Sequence, residues 1–451
     1  MIGIVVSRAD SASLHICEQL LALADWEEHE TQSDVDGDST VYRLEDVELR
    51  IFDELHLHLD AVDEVFCDPS LIVFASRHAG ETGALLTAHP TGNFGPAEFG
   101  GHDHDLARAA PNAQAKALTA LTEHAPAGYD VGLEGTHHGP TTLDTPSLFV
   151  ELGSDESQWN DPDGARAVAQ AILDLRGVDP ERERTVVGFG GGHYVPRFER
   201  VVRDTDWAVG HVAVDWALDA MGDPTENANR AVLEQAFEQS SAEYALIDGT
   251  APALERTVES LGYPIVSETW MKETTGVPLE LVKQLERDVM AIENGLRFGD
   301  SARQLWTEND DQDPHTSYSQ LDLPSGLLAE VNGIDHERIL STIRSYSIAV
   351  TTVEGGTKLG KTVVLPESVD RNDLMEEFIT VLDTKYDDVE RDGDQIVAHR
   401  TAFSPTLARE QGVPEGPAFG RLSDGQTVEI DNTTVTPGDV RERQTYMFSS
   451  I

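Results

Sequence analysis

Two stretches, 70–76 (SLIVFAS) and 184–189 (RTVVGF), are apolar without alternation. Such runs mark strands covered on both faces, as in a parallel sheet flanked by helices. The rest of the first 275 residues supplies the matching parts. Residues 2–7 (IGIVVS) read as a strand. Leu14, Cys17, Leu20, Leu21 and Ala24 then recur at helical spacing behind Ser11 or Ser13, either of which serves as an N-cap. Further strands are predicted at 41–52, 84–88, 129–134, 147–152 and 243–250, and helices at 105–124, 162–176, 226–240 and 251–262. Residues 25–40, polar and acidic, read as a loop. Residues 1–275 are therefore expected to form one α/β domain, a three-layer fold on a mostly parallel sheet.

After Gly276 the pattern changes. Residues 279–296 read as a charged amphipathic helix, and 308–325 (ENDDQDPHTSYSQLDLPS) carry no periodicity, so 276–325 read as helix and acidic linker. Residues 326–451, with short strands such as SIAVTTV and GKTVVLP, read as a smaller α+β C-terminal unit. A chain cut near Arg297 is expected to retain a complete first domain.

Acidic residues number 82 against 32 Lys and Arg, a net charge of −50, and they are spread along the chain. With 39% hydrophobic residues the chain has material for a core, which argues against disorder. The acidity instead suits a high-salt cytoplasm, where a Debye length of about 3 Å at 1 M salt screens the self-repulsion. In that background the absence of a basic patch does not exclude an RNA partner. Two cysteines, Cys17 and Cys67, exclude a disulfide framework and a thiolate zinc finger. No apolar run approaches a membrane span, and the N-terminus reads as a strand rather than a signal peptide. A soluble, cytoplasmic monomer is expected.

The histidines are placed with respect to the strands. His78 follows 70–76, His89 follows 84–88, His137 and His138 follow 129–134, and His193 follows 184–189 through three glycines, 190–192. Ligands of open α/β sheets bind outside the carboxyl ends of the strands. Parallel strands are thus expected to gather these imidazoles at one edge, with Glu81, Glu134 and Glu151. One such histidine alone is loop filler; the set suits either of two chemistries. Imidazole and carboxylate without thiolate suit zinc with an open position for water. Without metal, a histidine held by a carboxylate is a general base. Weaker features are set aside. The run 188–193 fails as a dinucleotide motif because His193 takes the third glycine's place. His56 and His58 fit the polar face of a strand or a loop. The run 102–105 (HDHD) fits a metal site or a helix cap equally. Cys17 falls on an apolar helix face. Ser76 and Ser147 lie outside any G-x-S-x-G elbow, against a serine hydrolase.

The motifs FASRHAGETGALLTAHPTGNFGPAEFGG, GLEGTHHGPT, SLFVELGSDESQW and GFGGGHYVPRF resemble the archaeal and plant type of D-aminoacyl-tRNA deacylase, over about residues 1–275. The resemblance implies hydrolysis of the ester joining a D-amino acid to the terminal ribose of tRNA, two zinc ions per chain, and a fold related to peptidyl-tRNA hydrolases and nucleoside phosphorylases. On the motif positions it implies His138, His193 and Glu134 as catalytic residues and His78, Glu81, His89, His137 and Glu151 as metal ligands. Glycines Gly190, Gly191 and Gly192 are expected to offer backbone N–H groups to an oxyanion. Phe94, Phe99 and Tyr194 are expected to stack with bases of the single-stranded tRNA 3′ end. The resemblance stops near 275, so the second unit reads as an extension foreign to the family. Within it, 412–428 resembles a segment of the tRNA-processing endonuclease ribonuclease Z without that enzyme's histidine motif, and reads as a tRNA-related module or as a plain loop. Two rival readings remain: a zinc hydrolase of small amides or peptides, and a non-catalytic tRNA-binding protein.

Overall fold

A computed structural model describes residues 1–33, 37–308, 318–431 and 433–450. The chain divides into two compact units, Met1–Thr275 and Gly276–Ile451.

In the first unit an eight-stranded sheet is built from β1 (Ile2–Ser7), β2 (Glu27–Ser33), β3 (Gly37–Leu44), β4 (Val47–Phe52), β5 (Leu71–Arg77), β6 (Leu85–His89), β9 (Asp130–Leu133) and β10 (Ser147–Gly153). The intervening β7 (Gly92–Asn93) and β8 (Asp105–Leu106) form a two-residue ladder. Strand order is β2-β3-β4-β1-β5-β10-β6-β9. Strands β4, β1, β5 and β10 are parallel, and β1, β5 and β10 are buried along almost their whole length. Strand β6 runs antiparallel to β10, and β9 follows β6. A separate parallel sheet, β12-β11-β13, is made from β11 (Thr185–Gly190), β12 (Ala208–Ala213) and β13 (Tyr244–Asp248). The α/β class holds, but the expected single sheet is two. A fully buried strand reads the same in either sheet, so sequence cannot assign it.

Helices α1 (Ser11–Leu23), α2 (Pro111–His124), α3 (Glu156–Trp159), α4 (Pro162–Leu173), α5 (Pro196–Asp204), α6 (Asp215–Met221), α7 (Asn227–Glu238), α8 (Pro252–Leu261) and α9 (Glu268–Thr274) complete the unit. Three expectations are corrected locally. The cap of α1 is Asp10, not a serine: its Oδ1 accepts the N–H groups of Ala12 and Ser13 at 3.0 and 3.2 Å. The helix expected from 105 starts at Pro111, where the missing proline N–H costs nothing. The strand expected over 41–52 is broken by a turn at Glu45, whose φ is 46°. The acidic stretch before it is no loop over its described residues, because β2 and β3 pair there as a hairpin.

The second unit contains α10 (Leu279–Asp288), β14 (Leu296–Phe298), α11 (Asp300–Glu308), β15 (Tyr318–Asp322), α12 (Ser325–Tyr346), β16 (Ala349–Val353), β17 (Lys358–Pro366) and α13 (Arg371–Leu382). Its main sheet is β14-β16-β17-β15, covered by a core that includes Leu327, Val331, Ile343 and Phe378. A smaller three-stranded antiparallel sheet and a hairpin follow towards the C-terminus. The expected linker is therefore partly sheet: β15 pairs with β17, while 309–317 lie outside the described residues. The helix expected over 279–296 ends at Asp288, and Arg297 sits in β14, hydrogen-bonded along β16. A cut near Arg297 would sever that strand; the unit begins at Gly276. Strands of three and five residues are too short to show a period.

Candidate active site

The register of three strands places the first side chains. Ser76 pairs with Glu151, Glu151 with Thr87, and Phe149 with both Phe74 and His89. Side chains alternate across a sheet, so Ser76, Phe149, Glu151 and His89 share one face. The His89 ring stacks on Phe149 (5.2 Å between centroids), and Phe149 stacks on Phe74 (4.4 Å). His78, two residues beyond Ser76, crosses beside Gly153, where a Cβ would lie 2.6 Å from that of His78. Because β6 is antiparallel, the histidines do not collect at one sheet edge as expected. They collect over a face.

Loops from both sheets close over that face. The Gly135 N–H donates to the His193 carbonyl (2.9 Å) and the Thr136 N–H to that of Val212 (2.9 Å). Thr136 Oγ1 accepts the Val212 N–H at 2.9 Å and stands 3.1 Å from His211 Nδ1. His211 Nε2 is 2.8 Å from the carbonyl of Ala107 and so carries the proton. His211 is fully buried, and its burial pushes its pKa down to about 4. This neutral imidazole thus pins the segment 134–138 to the second sheet. His138 has a φ of 46°, a region that costs a non-glycine residue on the order of 1 kcal/mol. Its carbonyl accepts the Gly92 N–H at 2.8 Å.

Seven of the expected site residues meet here. Glu134 Oε2 lies 2.7 Å from His193 Nε2 and 3.8 Å from Nε2 of both His78 and His137. His89 Nε2 is 3.6 Å from Glu151 Oε1. The donor atoms form two groups of three, His89–His137–His138 and His78–Glu134–His193, each within 4.8 Å. The Nδ1 atoms of His89, His137 and His138 face the carbonyls of Pro90, Gly135 and Gly139 at 3.1, 2.8 and 2.8 Å. A carbonyl only accepts, so each Nδ1 carries the proton and each Nε2 presents a lone pair. Buried Glu134 has no well-directed hydrogen bond at either oxygen, the 2.7 Å approach of His193 being off line, and His89 Nε2 also lacks one.

The electrostatics follow from this crowding. Desolvation and the neighbouring His89 push His137 down to about 3, and desolvation drives His138 well below its usual value. Burial alone would raise the Glu134 carboxyl, but His193 and the surrounding imidazoles outweigh it and hold Glu134 well below the carboxylate range. Burial raises Glu151, and the contact with Glu151 raises His89 against its own desolvation. The cluster lines a cavity of about 410 Å³ whose other wall is Asp10, His56, Ser76, Arg77, Leu57 and Phe99.

Several expected residues are elsewhere. Glu81 is exposed on the loop after β5 and belongs to neither group. Phe94 is 2% exposed, packed edge-on to His211, and cannot stack with a base. Phe99 is 64% exposed at the cavity rim. The Tyr194 hydroxyl is 3.2 Å from His78 Nε2. The glycines at 190–192 do not line the cavity: the Gly191 N–H donates to Asp215 Oδ1 at 3.0 Å, and a Cβ at Gly190 would lie 2.2 Å from the Asp248 carbonyl oxygen. In the 102–105 run, Asp103 accepts the Ala97 N–H and His104 Nδ1 meets the Phe94 carbonyl, so the run ties a turn. His56 is buried in a 3-10 turn, 3.3 Å from Ser13 Oγ, while His58 is exposed. Asp10, Arg77 and His211 were not singled out from sequence. Only Arg77, beside His78 inside a motif, carried a local signal.

A family model described as D-aminoacyl-tRNA deacylase matches residues 65–266. The chain is 53% identical to a D-aminoacyl-tRNA deacylase of Natronomonas pharaonis, covering 98% of this chain and 99% of the relative. To that of Haloarcula marismortui it is 48% identical, with 97% of each covered. To that of Methanoregula boonei it is 33% identical, over 85% and 86%. These matches run well beyond residue 275, so the second unit is shared with these relatives and not foreign to them. A crystal structure of a conserved protein of unknown function is 30% identical at a TM-score of 0.55, covering 61% of this chain and 98% of that one. No helix among the described residues is long and apolar enough to cross a membrane.

Proposed function

Because the chain belongs to the D-aminoacyl-tRNA deacylase family, we infer that it hydrolyses the ester between a D-amino acid and the terminal ribose of tRNA. The observation that carries the chemistry is the cavity lined by Glu134, Glu151 and the imidazoles of His78, His137, His138 and His193, with His89 behind them. Converging lone pairs and a buried carboxylate without directed donors suit a pair of divalent cations. His89, His137 and His138 would hold one, and His78, Glu134 and His193 the other. Bound zinc would polarise the ester carbonyl and supply a water with a pKa near 7.

The remaining roles fall to the chain itself. Glu151 lies outside both groups of three, lines the cavity and has a raised carboxyl. It takes a proton from the attacking water and returns it to the departing ribose oxygen, the work of a general base whose basicity burial increases. The Tyr194 hydroxyl, beside His78, donates towards oxygen that gains charge at the ester carbon. This division moves Glu151 out of the ligand set and His138, His193 and Glu134 into it. Both hands of an amino acid carry the same groups, so selection rests on a clash with the L form against the cavity wall. The same reading includes a monomer in a high-salt cytoplasm and kinship of the first unit with peptidyl-tRNA hydrolase and nucleoside phosphorylase folds, supported by its parallel β4-β1-β5-β10 core.

Deacylation of matched D- and L-aminoacyl-tRNA in concentrated KCl tests the function. Release from the D form alone is expected; no release, or equal release from both, overturns it.

A further inference from the structure

The cavity lining contains one arginine or lysine, Arg77. Many cations among the described residues are tied to carboxylates, as in Arg8–Asp53, Arg176–Asp46 and Arg200–Glu268. Among the described residues no carboxylate oxygen lies within ion-pair distance of the Arg77 guanidinium, which instead lies over the Trp159 ring at 5.1 Å from its centroid. Both partners are anchored. The Arg77 backbone N–H donates to Asp10 Oδ2 at 3.0 Å, and the strand pairs Arg77 with Leu152, on the face away from Ser76 and Glu151, so that it reaches the cavity as the last residue of β5. The Trp159 indole N–H donates to the His78 carbonyl at 2.9 Å, and its own carbonyl meets His15 Nδ1 at 3.1 Å. The indole thus holds the guanidinium beside it, one residue from His78 of the cluster.

The substrate offers this cation one target. In an aminoacyl ester the amino acid's carboxyl is consumed, and its amino group is itself cationic. The anion nearest the reacting ester is the phosphate of the terminal nucleotide. Concentrated salt removes long-range attraction, so recognition there depends on contact, and a stacked guanidinium fork suits phosphate oxygens better than a lysine point charge. Resting on the deacylase reading, we propose that Arg77, presented on Trp159, is the positioning residue that grips the 5′-phosphate of the 3′-terminal nucleotide of tRNA and so sets the ester against the His and Glu cluster.

The test is a cycle of two enzymes and two small substrates. The substrates are the D-tyrosyl ester of adenosine and the same ester of adenosine 5′-monophosphate. The enzymes are wild type and Arg77→Gln, with folding checked by near-UV circular dichroism. Wild type is expected to favour the phosphorylated ester in kcat/KM by roughly tenfold or more, the scale of one charge-assisted contact. In Arg77→Gln that preference should fall to within about twofold, chiefly through KM. Arg77→Lys should recover part of it and lose it faster as KCl rises. An unchanged preference in Arg77→Gln, or an equal loss on both esters as a purely structural role would give, overturns the proposal. Wild type that cleaves neither D- nor L-aminoacyl-tRNA overturns the deacylase reading instead, so the two failures are distinct.

Discussion

His211 couples the stability of the first unit to pH. Its Nε2–H donates to the Ala107 carbonyl and its Nδ1 faces the Thr136 hydroxyl, which has no place for a second ring proton once it donates. Burial lowers the pKa from 6.5 to about 4. Below 6.5 the unfolded chain takes up the proton that the folded chain refuses. The stabilising contribution is therefore complete above pH 6.5 and is lost as pH falls towards 4. The gap is worth about 3 kcal/mol in full, of which about 2 kcal/mol is gone at pH 5. The variant His211→Gln retains a donor for Ala107 and an acceptor for Thr136 but does not titrate. Urea unfolding in concentrated KCl at pH 7, 6 and 5 should show wild type losing about 2 kcal/mol more than the variant over that range. Protonation of the surface carboxylates affects both proteins alike and cancels. Parallel pH slopes would falsify the assignment. His211→Leu, which lets go of Thr136, should in addition slow deacylation at pH 7, because the 134–138 segment carries three residues of the cluster.

Glu151→Gln should reduce kcat about a hundredfold while leaving metal content intact; a rate within threefold of wild type places the base elsewhere. Chelation should abolish turnover and zinc restore it, and His138→Ala should bind about one ion fewer per chain by elemental analysis; full activity in metal-free protein would favour histidine acting alone. Thermal stability and tRNA affinity should both rise with KCl, because the −50 charge repels itself and RNA; affinity that falls steadily with salt contradicts that account of the acidity. A chain ending at Thr275 should fold and still distinguish D from L, checked by circular dichroism and the paired deacylation assay; an insoluble or inactive product means the second unit is needed.

The α/β class, most element positions and the cluster's histidines were legible because their signals are local. Burial of 70–76 and 184–189 is written in residue type, and His78, His89, His137, His138 and His193 stand next to the strands that carry them. Glu81 shows the limit of that proximity. It sits three residues from His78 yet points to solvent, whereas Glu151, some seventy residues away, faces His89. Phe94 fails for the same reason: an aromatic near a motif looks like a stacking platform until packing buries it against His211.

What tertiary structure alone decided was pairing. Hydrophobic period and side-chain type are properties of neighbours in the chain, so the buried strands 70–76 and 184–189, most helices and the residues able to bear chemistry could be read without a structure, whereas the hairpin of β2 and β3 and strand β12 could not. The sequence did not determine that β6 runs against β10, that β11 belongs to a second sheet, that Asp10 and Arg77 line the cavity, or that His211 contacts Thr136. Strand direction and partner choice are set by contacts between residues far apart, and either direction buries the same side chains. The cluster therefore lies on a sheet face held by loops from two sheets, an arrangement that exists only once those long-range ladders have formed.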